Sequence, residues 1–502
     1  MYQLTAQDLD DQTDYDNPAI RAARNPNSVV LEALLAYYKS RGKDERLSKM
    51  QQKEIARCSP SATVALYGLF WSPIKAAISI NSVENLRLLL TAGADPNGIL
   101  RWEAADYSVR YMRGRDHADN FSSYGNCDRR SLVLANARES GIVHPICPLT
   151  EAELDERRHW FPVFWSEPNI PGQSLRMMRA STALEYAAGY GRQECVDLLR
   201  SAGADESPWL QSESESNSPD LWNFDENAPV SVLSTSSPVH EALTRGQQMM
   251  LRHLLSTCGY SPNYRPRAVP TMALPPLSHI LVRCDLNNKN IQNCLVDLLT
   301  HPQLDPNLRT PILGIHPLHF ATAHHNPELL IWLAGFIPGG IAAAGTTALG
   351  HTLLHIASLP LNAGQIVARN PNVTTSIHCA RTLDYKHRPW RLPSPVHRNF
   401  VTAEQMALRN PQPLTLRQQQ AQLATIQVLM QAQAEAGKGE GGFNINVKAK
   451  DVDGNTALHY LAGTLNMAEE TIDLVRGFDG GEEVWHEAKN RWGLTPSQLW
   501  SE

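Results

Sequence analysis

The string "LLLTAGADPN", Leu88–Asn97, returns along the chain in three variants. These are "LLRSAGADES" from Leu198, "LLSTCGYSPN" from Leu254 and "LLTHPQLDPN" from Leu298. In the first three copies a glycine stands where an apolar helix would end, because glycine adopts the left-handed conformation at little steric cost. The Pro-Asn that follows in three of the four copies cannot continue a helix and turns the chain. The string therefore predicts a structural part that is copied along the chain.

A hydroxyl residue precedes the apolar segment in the first half of the clearest units. The closest copies read "SPIKAAIS" from Ser72, "STALEYAAG" from Ser181 and "SPVHEALT" from Ser237, an earlier copy fits from Asn17, and distant copies begin near 275, 316, 351, 401, 455 and 494. A Ser or Thr side chain accepts a hydrogen bond from an orphan backbone N–H, and Pro suits the first helical turn. We therefore expect a short helix after each start, followed by a second helix with one buried apolar stripe.

These units resemble the ankyrin repeat, most closely in "NTALHYLA" from Asn455, in "HPLHFATA" from His316 and in the AGADPN segment. That family has the motif T-P-L-H-x-A in a unit of 33 residues. The resemblance implies an all-α ankyrin-repeat solenoid of about nine helix-turn-helix units, whose surface binds other proteins. It also implies a structural hydrogen-bonding role for the motif histidines His319, His355 and His459.

The spacing of the units predicts long insertions, because consecutive starts are never as close as the family's repeat length. We expect N-terminal repeats over 1–98, an aromatic-rich insertion at 99–180, central repeats over 181–358 with an acidic insertion at 207–236, a basic insertion at 359–401, and C-terminal repeats with a cap over 402–502. Since the repeats are generic, we expect the protein's individuality to lie in the insertions.

Two insertions carry the candidate partner-binding residues. The acidic segment "PDLWNFDEN" sets Leu221, Trp222 and Phe224 among carboxylates, a mixture found in some disordered activation segments, although a solvated linker fits as well. The basic segment "YKHRPWRLP" places Trp390 between Arg388 and Arg391 and suits an acidic or phosphate-bearing partner, although a plain solvated loop fits it too.

Charge and composition exclude several classes of protein. The net charge of -6 provides no general basic field for nucleic acid or a membrane surface. The eight cysteines contain no CxxC pair, which argues against a zinc module or a disulfide scaffold. Residues 329–368 carry no Asp, Glu, Lys or Arg and are long enough to span a bilayer, but Pro338-Gly339-Gly340 interrupts the apolar run. The histidines at 316, 319, 324 and 325 could suggest a metal, but no HExxH motif supports it.

The sequence thus predicts a non-enzymatic protein-interaction scaffold or adaptor in the cytoplasm or nucleus, either a monomer or part of a complex. Its most specific form is a transcription co-regulator that has no DNA-binding domain of its own. We expect no catalytic residue, cofactor, metal ligand, direct nucleic-acid contact or membrane contact. The alternative is an enzyme or ligand-binding protein with a pocket between the 99–180 insertion and the repeats, where polar residues around 110–130 and 316–325 would converge.

Overall fold

The structure is a computed structural model. It describes residues 17–41, 58–61, 64–66, 69–99, 182–210, 236–265, 274–309, 315–347, 350–359, 415–436, 445–451, 454–464, 467–490 and 493–501. The described residues fall into two compact units. The first unit holds those up to Pro276 together with 286–304, and the second holds 277–285 and those from Asp305 onward.

Helices arranged in pairs make up most of the described chain. They are α1 (Pro18–Ala23), α2 (Ser28–Arg41), α3 (Pro73–Ser79), α4 (Val83–Thr91), α5 (Ala183–Gly189), α6 (Gln193–Ser201), α7 (Ser207–Leu210), α8 (Pro238–Thr244), α9 (Gln248–Arg252), α10 (Pro276–Arg283), α11 (Lys289–Leu299), α12 (Pro317–Ala323), α13 (Pro327–Ala334), α14 (Leu353–Ser358), α15 (Leu416–Ala436), α16 (Ala457–Ala462), α17 (Glu469–Arg476), α18 (Gly481–Glu487) and α19 (Pro496–Ser501). A π-helical turn, His253–Thr257, continues α9, and a 3₁₀ helix spans Gly340–Ala344.

The helical character expected from the sequence is confirmed in the described residues. They also contain a short hairpin that the all-α prediction omitted. Its strands, β1 (Val64–Leu66) and β2 (Leu69–Trp71), pair antiparallel with Val64 opposite Trp71 and Leu66 opposite Leu69. The number of about nine repeat units stays a prediction.

The predicted N-caps are confirmed at the starts of the first helices. The Ser72 hydroxyl accepts from the Lys75 N–H at 3.4 Å, before α3. Before α5, the Thr182 hydroxyl accepts from the Glu185 N–H at 3.3 Å, while the Glu185 carboxylate accepts from the Thr182 N–H at 2.6 Å. This reciprocal capping box satisfies two N–H groups that the helix itself leaves without partners.

The glycines of the repeated string end the second helices as predicted. Gly93, Gly203 and Gly259 have φ of +87°, +84° and +76°. At Gly93 and Gly203 an added Cβ would meet nothing within 4 Å, so the backbone conformation rather than space accounts for the glycine.

Each helix pair buries its apolar residues as the sequence pattern indicates. The first helices bury alanines beside larger residues such as Ile74 and Phe320, and the second helices bury mainly leucine and valine. The buried set includes Ala76, Ala77, Leu86, Leu89, Ala187, Ala188, Val196, Leu199, Ala321 and Ala357. Alanine on the first helix lets neighbouring pairs approach closely, and the leucines and valines of the second helix fill the space between them.

The second unit contains a helix longer than the repeat pattern predicts. Helix α15 has 21 residues and lies against α14. Its Gln422 amide donates to the carbonyls of Ala357 at 2.9 Å and Leu359 at 3.1 Å, at the end of α14. A buried side chain thereby satisfies carbonyls that a helix end leaves without partners. None of the described helices has the combination of length and apolar character needed to cross a bilayer.

Candidate functional site

Buried histidines connect successive repeats. In the second unit, the His355 ring lies 2.9 Å from the hydroxyl of Thr352 and 3.1 Å from the carbonyl oxygen of Asn455, just before the next repeat. The His459 ring makes the same two contacts, 2.9 Å to the Thr456 hydroxyl and 3.0 Å to the Leu494 carbonyl.

His240 repeats this arrangement in the first unit, 2.7 Å from the hydroxyl of Ser237 and 2.9 Å from the carbonyl of Leu274. Burial lowers the pKa of His240, His355 and His459 to about 4. These rings are therefore neutral at pH 7, and the structural role implied for His355 and His459 is confirmed.

The third motif histidine, His319, lies in the same place of its repeat. Its Nδ1 accepts from the His316 N–H at 3.3 Å in the N-cap box of α12. The neighbouring His316 ring contacts the Asn307 side chain at 3.0 Å, and the His324 ring contacts the Leu281 carbonyl at 2.5 Å. Burial, the largest effect, lowers the pKa of all three histidines. Among the described residues these histidines form no group of three or more possible metal ligands, and they make hydrogen bonds within and between neighbouring repeats.

A buried carboxylate lies among the histidines of the second unit. Asp451 accepts from the Asn455 N–H at 2.8 Å and from the Tyr460 hydroxyl, and it lies 3.5 Å from the ring of His351. We call these four residues the Asp451 network. Burial alone would raise the pKa of Asp451, but the hydrogen bonds from His351 and Tyr460 and the electrostatic interaction with the nearby rings hold it below its usual range.

A second group of titratable side chains lies in the first unit and belongs to two adjacent repeats. Asp197 comes from α6, His253 begins the π-helical turn, and Cys258 follows that turn. The Asp197 carboxylate and the His253 ring are 2.8 Å apart, and the oxygen, nitrogen and sulfur of the three side chains all lie within 4.8 Å of one another. We call these residues the Asp197 cluster. No other set of His, Cys, Asp and Glu in the described residues is arranged this way.

The Asp197 cluster is open on one side and closed on the other. The side chain of Asp197 is 54% exposed, that of His253 is 15% exposed, and Cys258 is 5% exposed as a residue. Burial raises the pKa of the Cys258 thiol to about 11, against the opposing effect of Arg200. The Arg200 guanidinium donates to the Cys258 carbonyl at 3.2 Å and pairs with Glu206 at 2.6 Å. Arg200 is thus neutralised by a carboxylate outside the cluster.

An extra residue in one repeat explains how the Asp197 cluster forms. Ser237 to Gly259 is one residue longer than Ser72 to Gly93 or Thr182 to Gly203. The π-helical turn accommodates this residue, with the Cys258 N–H donating to the His253 carbonyl at 3.0 Å, five residues back. His253 and Asp197 each stand six residues before the terminal glycine of their repeats, so equivalent positions of neighbouring repeats come together.

An exposed apolar surface in the second unit lies on α13 and on Phe336, just after the end of that helix. Ile331 is 54% exposed, Trp332 is 38% exposed and Phe336 is 37% exposed. The Trp332 and Phe336 rings meet edge to face, with centroids 5.1 Å apart. We call these three residues the Trp332 patch. It is uncharged, since no Asp, Glu, Lys or Arg occurs between 329 and 368.

An arginine braces the segment that follows the Trp332 patch. The Arg309 guanidinium donates to the carbonyls of Ala343 at 2.9 Å and Ala344 at 2.6 Å, at the end of the 3₁₀ helix. Burial lowers the pKa of Arg309 to about 10, which leaves it charged at pH 7. A cation at a helix C-terminus is favourable, so Arg309 stabilises the turn that carries the chain away from α13.

Of three comparisons with known proteins, the one with solved structures found similar chains. No family model matches the chain, and no curated protein sequence matches it. Among solved structures the chain is similar to the human ASB11 ankyrin repeat domain, with 16% sequence identity over 72% of this chain and 96% of that domain, and a TM-score of 0.33.

The residues that the sequence singled out as partner contacts lie outside the described residues. These are Leu221, Trp222, Phe224, Arg388, Trp390 and Arg391. The 99–180 insertion, proposed as one wall of a pocket, is also outside them apart from Ile99. At the start of the acidic insertion Trp209 is buried, and its ring meets Tyr260 edge to face with centroids 5.7 Å apart. An aromatic residue of that insertion therefore packs back on the repeats.

The Asp197 cluster has no signature in any single stretch of the sequence. Asp197 and His253 are 56 residues apart in the chain, so no local motif contains them. The available signals were the extra residue before Gly259 and a cysteine where the other two repeats have Ala92 and Ala202.

Proposed function

We propose that the chain is a non-enzymatic protein-interaction scaffold that binds a protein partner through the Trp332 patch. The supporting observation is the exposed aromatic pair of Trp332 and Phe336 beside Ile331. Single exposed apolar residues are ordinary on protein surfaces, whereas a contiguous group is typical of an interaction site. Tryptophan is also the residue most enriched among those that dominate binding energy.

The chemistry of the patch favours an apolar, uncharged partner surface. The cores of interfaces are depleted of charge, and residues 329–368 contain no charged side chain. A partner that inserts a Leu, Met or aromatic side chain beside Trp332 would bury both rings. The pair is already held edge to face, so little side-chain freedom is lost on binding.

A photo-crosslinking residue at Ile331 tests the proposal in the native cell, because its adduct identifies the protein that lies against the patch. The identified partner is then purified and its affinity measured for the wild type and for Trp332→Ala. We expect roughly 30-fold weaker binding by Trp332→Ala, the loss of about 2 kcal/mol that defines a dominant interface residue.

Trp500→Ala is the matched control, since Trp500 is 36% exposed on α19 and lies outside the patch. It should bind like the wild type. The absence of a reproducible adduct at position 331, or wild-type affinity of Trp332→Ala, would contradict the proposal. Because Trp332 is partly exposed, the Trp332→Ala variant should lose no more than about 1 kcal/mol of stability.

Transcriptional co-regulation is the more specific form of this proposal. Its support is the acidic and aromatic composition of the insertion at 207–236. Fusing that segment to a DNA-binding domain and measuring a reporter gene tests it, and no activation would remove the support.

A further inference from the structure

The Asp197 cluster brings together three different metal-binding atoms. A carboxylate oxygen, an imidazole nitrogen and a cysteine sulfur lie within 4.8 Å of one another. These are the atoms that Zn²⁺ takes, at about 2.0–2.2 Å for oxygen and nitrogen and about 2.3 Å for sulfur. In a tetrahedron those lengths place the ligand atoms roughly 3.3–3.7 Å apart, within a small side-chain rotation of the observed positions.

We propose that Asp197, His253 and Cys258 form a zinc-binding site that joins two neighbouring repeats. Three protein ligands leave the fourth tetrahedral position to water or to a ligand from another molecule. This site lies in the first unit and takes a metal ion, so it is independent of the protein-binding function proposed for the Trp332 patch.

The burial of the three side chains suits a bound cation. The half-exposed Asp197 carboxylate gives an ion a path from solvent, while Cys258 holds its thiol on the protected side. His253 contacts the Asp197 carboxylate directly, so an ion bound by both side chains would replace the hydrogen bond between them. The ligands therefore need little movement.

The charges around the cluster also balance. Arg200 is the cation nearest to Cys258, but it forms two hydrogen bonds with Glu206, at 2.6 and 3.2 Å. The Asp197 carboxylate and the Cys258 thiolate then supply the two negative charges that neutralise Zn²⁺. In the binding step the His253 Nε2 proton moves through solvent to Nδ1 of the same ring, so that Nε2 can form a Zn–N bond. At Cys258 the S–H bond breaks, its proton passes to solvent and a Zn–S bond forms, without any change in oxidation state.

The local backbone provides an independent reason to assign a site here. Single π-helical turns are rare and occur often at functional sites. Here the turn His253–Thr257 accommodates the extra residue of this repeat and places His253 and Cys258 on the same side. At the position of Cys258 the two repeats without the extra residue have Ala92 and Ala202, so the cysteine and the insertion occur together.

Cobalt binding by the full-length, reduced protein tests the site directly. Co²⁺ bound by a thiolate produces a sulfur-to-metal charge-transfer band in the near ultraviolet, and Zn²⁺ displaces the Co²⁺ in competition. We expect this band in the wild type, its loss in Cys258→Ser, and at least roughly tenfold weaker binding of both metals by Asp197→Asn. Cys195→Ser is the matched control, because Cys195 is buried on α6 but belongs to no ligand group among the described residues; it should keep the band.

Asp197→Asn decides the matter if Cys258→Ser fails to fold, because the Asp197 side chain is largely in water. Zn²⁺ should raise the melting temperature of the wild type clearly more than that of Asp197→Asn, since weaker binding to the folded state stabilises it less. A cobalt band that survives in Cys258→Ser, or a zinc response of Asp197→Asn equal to that of the wild type, would overturn the assignment.

Discussion

Asp451 and Asp197 are both aspartates that contact a histidine ring, but water reaches only one of them. The side chains of Asp451 and His351 are each 2% exposed, whereas that of Asp197 is 54% exposed. Asp451 also accepts hydrogen bonds from Asn455 and Tyr460, so its oxygens are occupied by the protein. An Asp–His pair therefore stabilises the fold where it is buried and its oxygens are hydrogen-bonded. The same pair can bind an ion where the carboxylate is exposed to solvent.

We expect the largest loss of stability when Asp451, the buried aspartate, is replaced. Asp451→Ala removes the acceptor for the Tyr460 hydroxyl and the Asn455 N–H, leaving both buried without that partner. Removing one partner of a buried charged group typically costs about 3–5 kcal/mol, because the others cannot return to water. Urea denaturation should show that loss.

Asp479→Ala is the control for Asp451→Ala, since Asp479 is exposed in the same unit. It should change the free energy of unfolding by less than about 0.5 kcal/mol. A loss equally small in Asp451→Ala would mean that the Asp451 network contributes no more than surface charges do.

A pH dependence should follow from the buried histidines. The pKa of His355 is lowered to about 4 by burial, whereas the unfolded chain takes up that proton near pH 6.5. Between these pH values the unfolded state binds more protons than the folded state. The contribution of each such histidine to the free energy of unfolding is therefore fully present above about pH 6.5. It falls by roughly 1.4 kcal/mol per pH unit as the pH decreases toward 4. Urea denaturation at pH 7, 6 and 5 measures the slope.

His355→Asn should make this slope shallower by the contribution of one histidine. Ile356→Val, at the next buried position, should lower stability by about 1 kcal/mol at every pH and leave the slope unchanged. An unchanged slope in His355→Asn would show that this ring does not couple folding to protons.

Local chemistry was predictable from the sequence. Hydroxyl N-caps such as Ser72 and Thr182, and left-handed glycines such as Gly93, act within a few residues of their own position. The neighbouring residues in the sequence are therefore sufficient to predict each of these N-caps and glycines. The structural role of His355 was implied by the resemblance of its repeat to the ankyrin motif, and the structure adds its contact with the Thr352 N-cap.

The candidate sites were not predictable in this way, because they depend on contacts between distant residues. Asp197 and His253 meet only when two repeats stack, and they are 56 residues apart. The Trp332 patch is defined by solvent exposure, which the sequence does not show. The run "LLIWLAGFI" is apolar throughout, and only the packing reveals that Leu330 and Leu333 are buried while Trp332 is partly exposed.

We expect the smallest loss of stability when Asp197, the exposed aspartate, is replaced. Without metal, Asp197→Asn should change the free energy of unfolding by less than about 1 kcal/mol, since even a charged pair with one partner in solvent is usually worth no more than that. A thermal melt in a chelating buffer measures it. A loss as large as that expected for Asp451→Ala would mean that Asp197 supports the fold in the same manner, and the contrast between the two aspartates would fail. A small loss leaves the carboxylate available for a ligand, because a group that the fold does not require can change its partner without unfolding the repeats.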